Sequence, residues 1–138
     1  MASPTTTLRL RPTLRSQIAR LARRHRRSFS EITQDLLEEA LRLRACPGIY
    51  FADEPAGRVA KVMGTGLGVW EVIRDYLELD RNEAALRKLL PHLSAAQVRA
   101  CLLYYAKYPD EIDAFVQENR ELTREMLEAL LPTVVRSA

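Results

Sequence analysis

Thr5-Thr6-Thr7-Leu8-Arg9-Leu10-Arg11-Pro12 decides how the first third of this 138-residue chain is read. Side chains alternate sides along a strand, so Thr6, Leu8 and Leu10 share one face and Thr5, Thr7, Arg9 and Arg11 the other. Pro12 stops that strand and suits the first turn of a helix, in which Leu14, Ile18 and Leu21 recur at helical spacing among Arg15, Gln17, Arg20 and Arg24. His25-Arg26-Arg27 reads as a turn. Ser28 and Glu31, three residues apart, form the signature of a capping box. They open a second helix carrying Phe29, Ile32, Leu36, Leu37, Ala40, Leu41 and Leu43, which is apolar on more than one face.

A segment of about 40 residues with one strand cannot bury that many leucines by itself, and cores of this size generally need metal, disulfides or oligomerisation. A twofold homodimer is therefore predicted, its strands pairing antiparallel and its second helices packing across the axis. Charge adds a partner. Residues 1 to 46 hold ten arginines and four acids, a net of +6, and between Arg9 and Arg27 there are eight arginines and no acid. The remainder, with 11 basic and 14 acidic residues, nets −3. One end of the chain suits a polyanion and the other does not.

Ala45-Cys46-Pro47-Gly48 ends the second helix and marks a domain boundary. Beyond it, Ile49-Tyr50-Phe51 and Arg58-Val59-Ala60-Lys61-Val62 read as a hairpin around the turn-rich Asp53 to Gly57. Gly64-Thr65-Gly66-Leu67-Gly68 reads as a tight turn into a helix from about Val69 to Leu79, with Val69, Val72, Ile73, Tyr76 and Leu77 inward. A short helix near Asn82 to Leu90 follows. Ser94 then caps a helix with the stripe Val98, Cys101, Leu102 and Tyr105, and Pro109 restarts a helix through Ile112, Phe115 and Val116. Glu118 to Leu131 is a last helical segment, with Leu122, Met126, Leu127 and Leu130 on one side and acids on the other. The predicted fold class is mainly α, with domains at 1–46 and 47–117 and a C-terminal helical tail at 118–138.

Residues 5 to 44 resemble the ribbon-helix-helix family of DNA-binding repressors, of Arc and MetJ type. The resemblance rests on Leu8-Arg9-Leu10 before a proline, on Leu14, Ile18 and Leu21, and on Arg27-Ser28-Phe29-Ser30-Glu31. It implies a dimeric ribbon in the DNA major groove, with Thr5, Thr7, Arg9 and Arg11 directed at base edges. Arginine forks to guanine O6 and N7, and threonine offers a hydroxyl and a methyl group. The amides at the start of the second helix, with Ser28, Ser30, Arg26 and Arg27, are expected to hold phosphate.

Residues 48 to 115 are similar to a small hairpin plus helix-turn-helix domain regarded as a VapB-like antitoxin and commonly encoded beside a PIN-like nuclease. Gly64-Thr65 before Val69, the Trp70 helix, Leu93-Ser94-Ala95-Ala96-Gln97-Val98, Tyr104-Tyr105-Ala106 and Pro109-Asp110-Glu111-Ile112 carry the likeness. The glycine-threonine turn is often followed by arginine in such domains, whereas here Gly66 follows. Together the two resemblances imply an antitoxin of a type II toxin-antitoxin pair, one that autorepresses its operon on operator DNA and silences a PIN-like nuclease toxin. Leu122, Met126 and Leu130 form the candidate partner-binding stripe. The alternatives are a stand-alone ribbon-helix-helix regulator with no toxin, and an interaction protein whose basic end binds an acidic protein. A second helix-turn-helix over Leu79 to Arg99, with Ala95, Gln97 and Arg99 leading, is weighed against a role in protein binding.

The glycines fit neither a dinucleotide loop nor a Walker loop. Cys46 and Cys101 lie outside metal or disulfide spacing and are expected to be reduced and half-buried, and His25 and His92 have no ligand neighbours in sequence. With no nucleophile and base in sight, no enzyme, metal or cofactor is expected. No apolar run approaches the roughly 18 residues of a membrane span, and Met1 to Thr7 lack the features of a secretory signal, so a cytoplasmic location is expected.

Overall fold

A computed structural model describes residues 3–55 and 57–131. The chain is mainly helical and divides into two compact units, Met1–Arg44 and Ala45–Ala138. No helix among the described residues is long and apolar enough to cross a membrane.

The first unit holds α1 (Pro12–His25) and α2 (Phe29–Ala45). Residues 3–11 carry neither helix nor strand, so the strand expected over 5–11 does not form in the single chain. A strand is defined by a hydrogen-bonded ladder, and these residues have no paired strand. Arg11 is nevertheless extended, at φ −59° and ψ 141°, as the residue before a proline must be. Pro12 sits in the first turn of α1. At the other end Arg26 turns left-handed with φ 54°, and the amides of Arg26 and Arg27 donate to the carbonyls of Arg23 and Ala22 at 3.3 and 3.0 Å. That is the closing pattern in which glycine is usual.

Among the described residues of this unit, only Ile18, Ala22 and Ile32 are buried, with Leu10 and Leu21 packed against them. Leu14 is exposed, as are Leu8, Phe29, Leu36, Leu37, Leu41 and Leu43. This unit covers only a small part of its own apolar surface in the single chain.

The second unit begins with the antiparallel hairpin β1 (Ile49–Glu54) and β2 (Gly57–Val62), in register from Ile49 opposite Val62 to Glu54 opposite Gly57. The strands extend further into the turn than the sequence indicated. Four helices follow: α3 (Val69–Glu78), α4 (Glu83–Leu89), α5 (Ala95–Lys107) and α6 (Pro109–Leu130). The core joins Ile49, Ala60 and Val62 of the hairpin to Val69, Val72 and Ile73 of α3, Leu86 of α4, Val98, Cys101 and Tyr104 of α5, and Ile112 and Val116 of α6.

Three departures from the sequence reading stand out. Residues 109–130 are one helix, so the expected boundary at 117/118 falls inside α6; residues 132–138 of the expected tail lie outside the described residues. Cys46 and Cys101 are fully buried rather than half-buried. Burial penalises the thiolate and pushes the Cys101 thiol up to about 12. Tyr104, absent from the expected stripe of α5, is fully buried, while Leu102 is only partly so.

The turn into α3 follows from its side chains. Thr65 Oγ1 donates to the Val62 carbonyl at 2.9 Å and accepts from the Leu67 amide at 3.0 Å, and Tyr50 donates its hydroxyl to the Thr65 carbonyl at 2.9 Å. Gly64 has φ +83°, and a Cβ on Gly68 would lie 2.8 Å from Trp70 Nε1. Glycine is needed at the first for conformation and at the second for space.

Candidate nucleic-acid interface

The candidate residues fall into two groups. Thr5, Thr7, Arg9 and Arg11 lie in the exposed segment before α1, where the single chain has no ladder to fix which way their side chains face. Arg26, Arg27 and Ser28 lie in the turn between α1 and α2, and Ser30 in the first turn of α2.

That helix end is built from local chemistry. Ser28 Oγ accepts from the Glu31 amide at 3.1 Å and donates to Glu31 Oε1 at 3.2 Å. The first four amides of a helix have no carbonyl within it to bond. Ser28 takes the one at Glu31, so those at Phe29 and Ser30 remain at the positive end of the helix dipole. Ser30 Oγ accepts from Gln34 Nε2 at 3.0 Å. Arg15 of α1 lies 5.7 Å from the Phe29 ring centroid, tying the two helices where the cap begins.

Arg27 is in a different state from its neighbours. Its Nε donates to Glu31 Oε2 at 3.1 Å, and its Nη1 pairs with Asp35. The hydrogen bond to Glu31 and the charge of Asp35 raise its pKa above the ordinary arginine value. Two carboxylates thus compete with any phosphate for this guanidinium. Arg26, in contrast, occupies a left-handed backbone position that costs an ordinary residue about 1–2 kcal/mol. Glu31 was legible as the partner of the cap; Asp35, eight residues from Arg27, was not.

In the second unit, Leu122, Met126 and Leu130 are 54%, 55% and 73% exposed, joined on the same stretch of α6 by Leu127 and just beyond its end by Leu131. Gln97, placed by the sequence near the start of a possible recognition helix, is engaged at home. Its Oε1 accepts from the Ser94 amide at 2.8 Å and its Nε2 donates to the Met63 carbonyl at 3.1 Å. Among the described residues no group of three or more histidine, cysteine or acidic side chains could hold a metal ion.

Compared with known proteins, the chain matches no family model, no characterised sequence and no solved structure.

Proposed function

We propose that this chain is the antitoxin of a type II toxin-antitoxin pair, a cytoplasmic homodimer that represses its own operon. In this reading two copies of residues 5–11 pair as an antiparallel ribbon in the major groove. Thr5, Thr7, Arg9 and Arg11 read bases, and the α2 amino end with Arg26, Ser28 and Ser30 clamps a backbone phosphate. Arg27 joins the phosphate once it parts from Glu31 and Asp35. The second unit, as a hairpin with a helix-turn-helix-like arrangement, binds a PIN-like nuclease toxin, with Leu122, Met126 and Leu130 of α6 at the contact.

One observation carries the DNA half: an exposed, acid-free run of arginines from Arg9 to Arg27 leads into a capped helix amino end, beside leucines that the single chain leaves uncovered. The leucines support a twofold dimer, and the dimer supplies the missing ladder. Arg26 supports the phosphate clamp, because a strained left-handed site holds an arginine where glycine is the easier residue. The toxin half rests on the resemblance of residues 48 to 115 and on the exposed stripe of α6.

The test is co-expression of the full chain with the neighbouring reading frame, for which the reading expects growth arrest by the neighbour alone and rescue by the pair. Met126→Asp changes an exposed side chain and should remove the rescue without unfolding the protein. A harmless neighbour ends the antitoxin reading and leaves a stand-alone regulator.

A further inference from the structure

We infer that the second unit carries a binding site for a small organic phosphate of nucleotide size, in the cleft between α3 and α6. This inference is independent of the proposed function. The cleft measures about 550 Å³, and Arg74 with Glu78 of α3 and Asn119, Arg120, Thr123, Arg124, Leu127 and Glu128 of α6 line it. Pockets for small ligands generally fall in the range of about 300–1,000 Å³.

Charge is the telling feature. The unit is net acidic, yet three arginines converge on one cleft. Arg120 and Arg124 are four residues apart on one helix, a like-charge spacing that destabilises an isolated helix, and Arg74 adds a third positive group from the facing helix. The positions three and four residues either side of Arg120 are Val116, Gln117, Thr123 and Arg124, so α6 offers it no acid in reach. Arg120 has no hydrogen-bond or ion-pair partner among the described residues.

The other two guanidiniums are steadied along one edge. Asp75 accepts from Arg74 Nε at 3.0 Å while the Trp70 ring lies 5.6 Å away, and Glu128 accepts from Arg124 Nε at 3.2 Å. Both contacts use Nε, so the terminal nitrogens of the two side chains make no hydrogen bond or ion pair among the described residues, although the face of the Arg74 guanidinium lies over the Trp70 ring. Forked guanidiniums bind the oxygens of a phosphate in pairs, and such charge-assisted bonds are roughly twice as strong as neutral ones.

The rest of the lining selects the size and shape of the ligand. Asn119 and Thr123, again four residues apart, add hydrogen-bonding groups beside the arginines, and Leu127 gives an apolar wall for an organic body. Glu78 and Glu128 suit hydroxyl or amino donors. The same two acids oppose a duplex, whose further phosphates would crowd them.

Adenosine monophosphate, inorganic phosphate, malonate and a 20-base-pair duplex are each titrated into the full-length protein, and binding is followed by calorimetry and by amide shifts in NMR spectra. The mononucleotide is expected to bind saturably, to move the amides of Asn119, Thr123 and Leu127, and to bind at least tenfold more tightly than malonate or phosphate. Arg120→Gln should weaken it at least tenfold while Arg99→Gln, on α5, should not. Ligand-free Arg120→Gln should melt no lower than the parent, because a repulsion is removed. No saturable binding overturns the proposal. So do malonate binding as tightly, shifts that ignore Arg120→Gln, a response to the duplex alone, or a lower melting temperature that marks Arg120 as structural.

Discussion

Replacing Leu37 by alanine tests whether α2 is covered by a second copy of the chain. Leu37 is 54% exposed in the single chain, and full burial of a leucine side chain stabilises by about 1.5–3 kcal/mol. A partner that covers the exposed half therefore contributes about 0.8–1.6 kcal/mol per chain, and a twofold interface uses the residue twice. The dimer should lose about 1.6–3.2 kcal/mol, which raises its dissociation constant by about 15- to 200-fold. Sedimentation equilibrium across a dilution series reads that constant directly. Leu122→Ala, on α6, should leave it unchanged. A dimer of parental affinity in Leu37→Ala, or a parent that is monomeric at micromolar concentration, would refute the reasoning.

Three further outcomes follow from the contacts. Ser28→Ala removes the acceptor for the Glu31 amide and should lower stability by about 1 kcal/mol in urea denaturation, the usual cost of a lost amino-terminal cap. Asp35→Asn together with Glu31→Gln should free Arg27 for phosphate, tightening binding to any duplex and steepening the salt slope by up to about one unit; an unchanged slope in fluorescence anisotropy would show that the two ion pairs do not restrain it. Because Cys101 keeps its proton to about pH 12 in the fold and ionises from about 9 when unfolded, its contribution is intact below pH 9 and is lost as pH rises toward 12. That loss should run at about 1.4 kcal/mol per pH unit, and Cys101→Val should flatten the stability profile over that window.

Where an element depends on its own residues, the sequence was sufficient. Pro12, Ser28, Asn82 and Ser94 each stand at or just before the start of a helix, and three of the four hold the cap through their own side chains. The hairpin and the inward face of α3 follow from alternation and from helical spacing. Other features depend on groups carried by different elements. Tyr104 could be buried because its hydroxyl donates to Glu111 of the next helix at 2.5 Å, as that of Tyr105 does to Asp113 at 2.7 Å, and neither partner shares the helix of its tyrosine. The stretch Gln117-Glu118-Asn119 contains no glycine or proline, so α6 runs through the point where its apolar pattern shifts from buried to exposed.

The candidate site was legible in composition and less so in its wiring. The run of arginines and the cap are plain in sequence, whereas the carboxylate of Asp35 reaches Arg27 across two turns of α2. Residues 5 to 11 alternate in sequence yet form no strand in one copy, and the proposed ribbon would take its ladder from a second chain. Arg120 and Arg124 read as solvated charges until α3 sets Arg74 beside them in one cleft.

The central claim is that residues before α1 read DNA, and the direct measurement is the affinity of the full-length protein for the duplex upstream of its own gene and for a scrambled duplex, over a range of salt. The account expects selective, salt-dependent binding by the parent. Arg9→Ala should weaken the upstream duplex by about 1–3 kcal/mol and bring the two duplexes closer together in affinity. Equal affinity of parent and Arg9→Ala for the upstream duplex, with the preference for it intact, would contradict the claim.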